Sequence, residues 1–166
     1  MGELPALPAP ITIRYSGIFD LTGLYNLIRT YLGNNKYDIK EEIYKDKPYS
    51  TVGNEIEIEL LGKAKIDAYF RHRFLIKIHT YEGKHIEVQK GTQKIKMYKG
   101  RIEISLNGKV DVDYNEQFEK YSPALKKLLF SHILKKEIEL KHQDFLRKQI
   151  YAFAEDIKKF LKFDAE

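Results

Sequence analysis

At 166 residues, with a hydrophobic fraction of 43% and no apolar run near the ~20 residues needed to span a bilayer, the chain is expected to form one globular domain without a transmembrane helix. The absence of cysteine removes disulfides, thiol chemistry and cysteine metal sites from consideration, and makes a reducing, cytoplasmic location the expected one. The net charge of +5 is unevenly spread: residues 63–109 carry 12 basic and 4 acidic side chains, so an anionic partner is to be sought there.

In chain order, residues 1–10 (MGELPALPAP) hold three prolines and are expected to be a flexible tail ahead of a single α+β domain at 11–166. Ile11, Ile13 and Tyr15 alternate with polar residues and predict a short strand. Asp20 is a good N-cap, and Leu21, Leu24, Tyr25, Ile28, Tyr31 and Leu32 recur at helical spacing, so an amphipathic helix follows, stopped at Gly33. From Tyr37 the period becomes two: Tyr37, Ile39 and Ile43 share one face, a loop is expected around Lys47, Pro48 and Gly53, and Ile56, Ile58 and Leu60 alternate with Glu55, Glu57 and Glu59.

After a turn expected near Gly62 comes the clearest strand, Tyr69–Tyr81, with Phe70, Phe74, Ile76 and Ile78 on one face and Arg71, Arg73, Lys77 and His79 on the other. Glu82–Gly83, Lys90–Gly91, Lys99–Gly100 and Asn107–Gly108 read as turns between further short strands, the last being a favourable type I′ pair. The whole predicts a curved antiparallel meander of about six or seven strands.

Past Tyr114, Ser122 and Pro123 open a helical region over 122–163 that contains no glycine or proline from Ala124 onwards. Forty helical residues would run about 60 Å, beyond the diameter of a small domain, so the helix must bend, split or overhang. Its apolar stripe is poorest between Lys135 and Asp144, where a joint is expected, and Phe145–Leu161 is the best amphipathic part.

The order strand, helix, antiparallel strands, long C-terminal helix resembles the helix-grip arrangement of START-like and Bet v 1-like domains. That resemblance implies a curved sheet gripping the last helix, with any ligand held between them. The runs YFRHRFLIKIH and KIKMYKGRIEI also look like those of small archaeal proteins of unknown function, which implies nothing about chemistry.

Three kinds of site follow. A non-enzymatic binding domain for an apolar ligand would line its site with His72, Phe74, Ile76, Ile104, Phe153 and Ile157, His72 being the polar group on that inward face. Alternatively, the surplus helix pairs with a second copy as a homodimerisation module. As a third reading, Arg71, Arg73, Lys77, Lys94, Lys96 and Arg101 bind nucleic acid, against which stands the ordinary role of such residues in cross-strand charge ladders. No catalytic constellation, cofactor motif or metal-ligand spacing is present among the five histidines, so neither catalysis, cofactor nor metal is expected. Asp111 and Asp113 read as exposed carboxylates that protect a strand edge.

Overall fold

A computed structural model describes residues 2–49 and 53–165; residues 1, 50–52 and 166, which include the tip of the loop expected near Gly53, lie outside the described residues. The protein is α+β. Six antiparallel strands, β1 (Gly2–Pro5), β2 (Ile11–Phe19), β3 (Asp38–Tyr49), β4 (Gly53–Lys65), β5 (Phe70–Lys90) and β6 (Gln93–Val112), form one open sheet. Its order is β1-β6-β5-β4-β3, and β2 joins β1 on the same side of β6. Helix α1 (Leu21–Asn34) follows β2. The C-terminal region begins with α2 (Pro123–Leu128) and a π-helical turn, Leu129–Ile133. The short α3 (Lys135–Glu137), a second π turn (Ile138–Gln143) and the long α4 (Asp144–Ala165) complete it.

The N-terminal residues are not a loose tail. Gly2–Pro5 pair with Val112–Lys109, Ala6 N–H donates to Gly108 O at 2.9 Å, and Ala6 and Leu7 are buried. Proline withholds a donor from a ladder, which an edge strand tolerates, and these prolines sit at that edge or just beyond it.

The two long strands β5 and β6 replace the five strands expected between Tyr69 and Tyr114. Glu82–Gly83 and Lys99–Gly100 face each other inside the β5–β6 ladder, where the register slips between Tyr81 and Lys84. A Cβ on Gly83 would lie 1.8 Å from the Tyr98 hydroxyl, so this glycine makes room for a ring and is no hairpin tip. Tyr98 and Thr80 hydroxyls lie 3.0 Å apart, and Thr80 Oγ1 accepts from Ile56 N–H at 3.0 Å, which joins three strands at the irregularity. Asn107–Gly108 lies within β6 as well. A Cβ there would meet Ile150 at 2.7 Å and Leu146 at 2.9 Å, and its absence lets α4 seat directly on the strand. Gly62 likewise lies inside β4, and the β4–β5 turn falls at 66–69, where Asp67 Oδ1 accepts from Tyr69 and Phe70 N–H at 2.7 and 2.8 Å.

The helices share one face of the sheet. Asp20 caps α1 by accepting from Gly23 N–H at 2.9 Å, and Leu24, Ile28 and Leu32 bury the stripe expected of it. The left-handed residue that ends α1 is Lys36 rather than Gly33. From α4, Leu146, Ile150, Phe153, Ala154, Ile157 and Leu161 are buried against β2, β6 and α1, each large apolar side chain contributing about 1.5–3 kcal/mol. Gln149 ties the layers together: Tyr37 donates its hydroxyl proton to Gln149 Oε1 at 2.6 Å, and Gln149 Nε2 donates to Asn35 at 3.1 Å. Among the described residues no helix is long and apolar enough to cross a membrane.

Candidate functional site

Between α2 and α4 the chain loses regular α-geometry. Leu134 N–H reaches back five residues to Leu129 O at 2.8 Å, and two π turns flank the single turn of α3. Such widened turns are enriched at functional sites. The joint expected between Lys135 and Asp144 is thus real, and charged residues crowd it because only Ile138 and His142 turn inward there.

The segment arches over one end of the sheet and leaves a groove of about 670 Å³ lined by Leu4, Val112, Phe130 and Ile138, with Lys126, Lys127 and Lys135 among its other walls. The exposed surface of that lining is predominantly apolar. Lys126 is paired with Glu119 at 3.3 Å, while the exposed Lys127 and Lys135 form no ion pair among the described residues.

The six residues expected to line a ligand site are all buried, and none of them lines this groove. Phe153 stacks on Tyr31 with ring centroids 4.0 Å apart and meets Phe74 edge-on at 5.8 Å; Ile76, Ile104 and Ile157 belong to the same packed core. These residues fill the space between sheet and helix. The groove lies beside it, toward the helical bend.

His72 is inward-facing and buried as its period predicts, and its partner comes from the bend: His72 Nε2 and His142 Nδ1 are 2.9 Å apart. Burial first, and then the neighbouring His142 ring, hold the His72 pKa down at about 4. The His142 pKa is lowered chiefly by burial, against the opposing pull of Asp67 and Glu137. His142 also stacks on Phe70 at 4.0 Å. His72 Nδ1 and His142 Nε2 are buried without a hydrogen-bond partner among the described residues.

The basic face is largely self-paired. Asp111, expected to be an exposed edge carboxylate, is buried and receives Arg71 at 2.8 Å on Oδ2 and Arg73 at 2.9 Å on Oδ1; Glu3 adds a second partner for Arg73. Asp113 is also buried, accepting from Gln117 and Phe118 N–H at 2.6 and 3.0 Å. Both carboxylates therefore organise the end of β6, a correction that follows from β6 being no edge strand: β1 pairs with one side of its end and β5 with the other. Lys77 stands opposite Glu59 at 3.7 Å and Arg101 pairs with Glu82 at 3.3 Å. Lys96 faces Glu87 and Lys94 faces Gln89, on the part of the β5–β6 ribbon that extends beyond its neighbours.

Sequence reasoning found His72 but not Asp67, Glu137, His142 or the groove residues. The one local sign was the interrupted stripe at 135–144, where an apolar Ile138 and a histidine four residues later stand among charges. No protein-family model, curated protein or solved structure matches the chain.

Proposed function

We propose that the protein is a non-enzymatic binding domain whose ligand is an apolar small molecule bearing a carboxylate, held in the groove between the β1–β6 edge and the helical bend. The observation that carries this reading is the apolar floor of Leu4, Val112, Phe130 and Ile138 combined with Lys127 and Lys135, which form no ion pair among the described residues. An acyl chain removes apolar surface from water on that floor, and a carboxylate placed at the lysines meets a cation without burying one.

Titration calorimetry with oleate and with oleyl alcohol tests it. The expected result is saturable one-to-one binding of oleate, weaker binding of the alcohol, and at least tenfold loss for oleate in a Lys127→Glu/Lys135→Glu variant. No saturable binding, or equal affinity in the variant, overturns the reading.

A second reading is favoured by the bend's outer surface. Leu128, Ile133, Leu140 and Phe145 are 48%, 62%, 63% and 54% exposed, a run of apolar side chains that a second copy of the chain would cover. Native mass spectrometry decides it: a dimer that Ile133→Lys/Leu140→Lys converts to monomer supports pairing, and a wild-type monomer at tens of micromolar sinks it.

A further inference from the structure

The two buried histidines hold a proton balance that no arrangement satisfies. Two neutral imidazoles have four ring nitrogens and two protons between them. One proton lies in the bond between His72 Nε2 and His142 Nδ1, so the other must sit on His72 Nδ1 or His142 Nε2, both buried and unpartnered. A buried polar group left in this way destabilises the fold unless something binds it.

One tautomer gives the outer end of the pair a use. If His142 Nδ1–H donates to His72 Nε2, the one ring lone pair of His142, on Nε2, is bare and the ring is fixed from behind. Metal-binding imidazoles are held by this kind of donation from the other ring nitrogen. Around His142 stand the carboxylates of Asp67, from the β4–β5 turn, and Glu137, from α3, and one ligand atom from each of the three residues lies within 4.8 Å of the others. Asp67 Oδ1 is occupied by the turn, which leaves Oδ2. Metal bonds of 2.0–2.2 Å set tetrahedral ligand atoms about 3.4 Å apart. Asp67 is exposed and Glu137 half-buried, so both carboxylates have room to turn toward that spacing.

We infer that Asp67, Glu137 and His142 form a binding site for a divalent transition-metal cation, with His72 as the hydrogen-bond acceptor behind His142. One imidazole and two carboxylates suit zinc and its first-row neighbours better than magnesium or calcium, which favour all-oxygen sites. Three protein ligands, one of them exposed, leave a further coordination position toward solvent. Spacing along the chain hid the site because its members lie at positions 67, 137 and 142. A second cluster, Glu55, Glu57 and His79, lacks the same warrant: His79 Nε2 is paired with Glu55, and among the described residues His79 holds no buried ring nitrogen without a partner. The inference does not depend on what occupies the groove.

The test uses the full chain stripped of metal by a chelator, then titrated with Zn²⁺ by calorimetry and with Co²⁺ by visible absorption, with Mg²⁺ and Ca²⁺ as controls. One equivalent of zinc or cobalt should bind, with the absorption of four- or five-coordinate cobalt, and zinc should raise the melting temperature. Asp67→Asn keeps the Oδ1 that holds the turn, and Glu137→Gln alters a partly exposed side chain. Each should weaken zinc binding at least tenfold with the metal-free melting temperature unchanged, while His79→Gln leaves affinity as it was. Absence of stoichiometric binding, an equal response to Mg²⁺, or affinity lost in His79→Gln and kept in the Asp67 and Glu137 variants overturns the inference.

Discussion

His72, at the start of the longest strand, and His142, in the second π turn, are joined by a buried contact of 2.9 Å. Burial favours the neutral form of both rings. Burial lowers the pKa of each, to about 4 for His72 from an ordinary 6.5, with Asp67 and Glu137 pulling His142 the other way and Lys141 reinforcing its burial. In the unfolded chain both histidines take up protons as pH falls through about 6.5, so between there and about 4 the unfolded state binds more protons and the native state loses ground. Stability measured by urea in the presence of a chelator should therefore be level above about pH 7 and fall by up to about 3 kcal/mol on the His72 account by pH 4. A His72→Leu variant should show a shallower slope over the same window; an unchanged slope would mean other groups set it.

The Asp111 carboxylate bridges Arg71 and Arg73 with side chains that retain only 8%, 26% and 16% of their exposure. Asp111→Asn leaves two guanidinium groups without their shared anion, and should cost about 2–4 kcal/mol in chemical denaturation. Exposed Arg14 and Glu103 form the comparison: Glu103→Gln should change stability by less than about 1 kcal/mol. A loss of similar size in both variants would contradict the difference in burial.

Gly108 meets α4 where a turn was expected. Gly108→Ala should destabilise by about 1–3 kcal/mol through its clash with Leu146 and Ile150. Combining it with Ile150→Val, which removes the nearest methyl, should recover part of that loss in a double-mutant cycle. Purely additive effects would place Gly108 away from the helix.

Regular and irregular parts of the C-terminal region should separate in amide hydrogen exchange. Residues 129–143, with their π turns and mostly exposed side chains, are expected to exchange through local opening at least tenfold faster than residues 146–157 of α4, which are anchored by Leu146, Ile150, Phe153 and Ile157. Uniform protection across 129–157 would show one cooperative helix.

Local periodicity made much of the fold legible. Asp20 and the Leu24–Leu32 stripe defined α1, period two put His72 inside and His79 outside, and the amphipathic run from Phe145 located α4. Glycine was where the reading failed, because Gly83, Gly100 and Gly108 look like turn residues and in fact clear space for Tyr98, for the facing strand and for Leu146 and Ile150. A one-dimensional pattern does not distinguish a residue that bends the chain from one that lets another approach. Asp111 was misread for a related cause: alternation identifies a face but says nothing of what covers it. The groove and the His142 cluster were beyond reach, since each unites residues from opposite ends of the chain.

Strand β6 is paired along both sides, with β5 on one and with β2 and β1 in succession on the other. Ile11 meets Leu106 and Gly2 meets Val112, so β1 and β2 leave the ribosome well before the strand they pair with. At about 5–20 residues per second, they wait for several seconds while β3 to β6 are still being synthesised. Pairings this distant in sequence also close slowly. Throughout that interval the apolar side of β2, with Ile13 and Phe19, is open to solvent and to other chains, and the growing polypeptide is most vulnerable to misassociation just before residue 112 emerges.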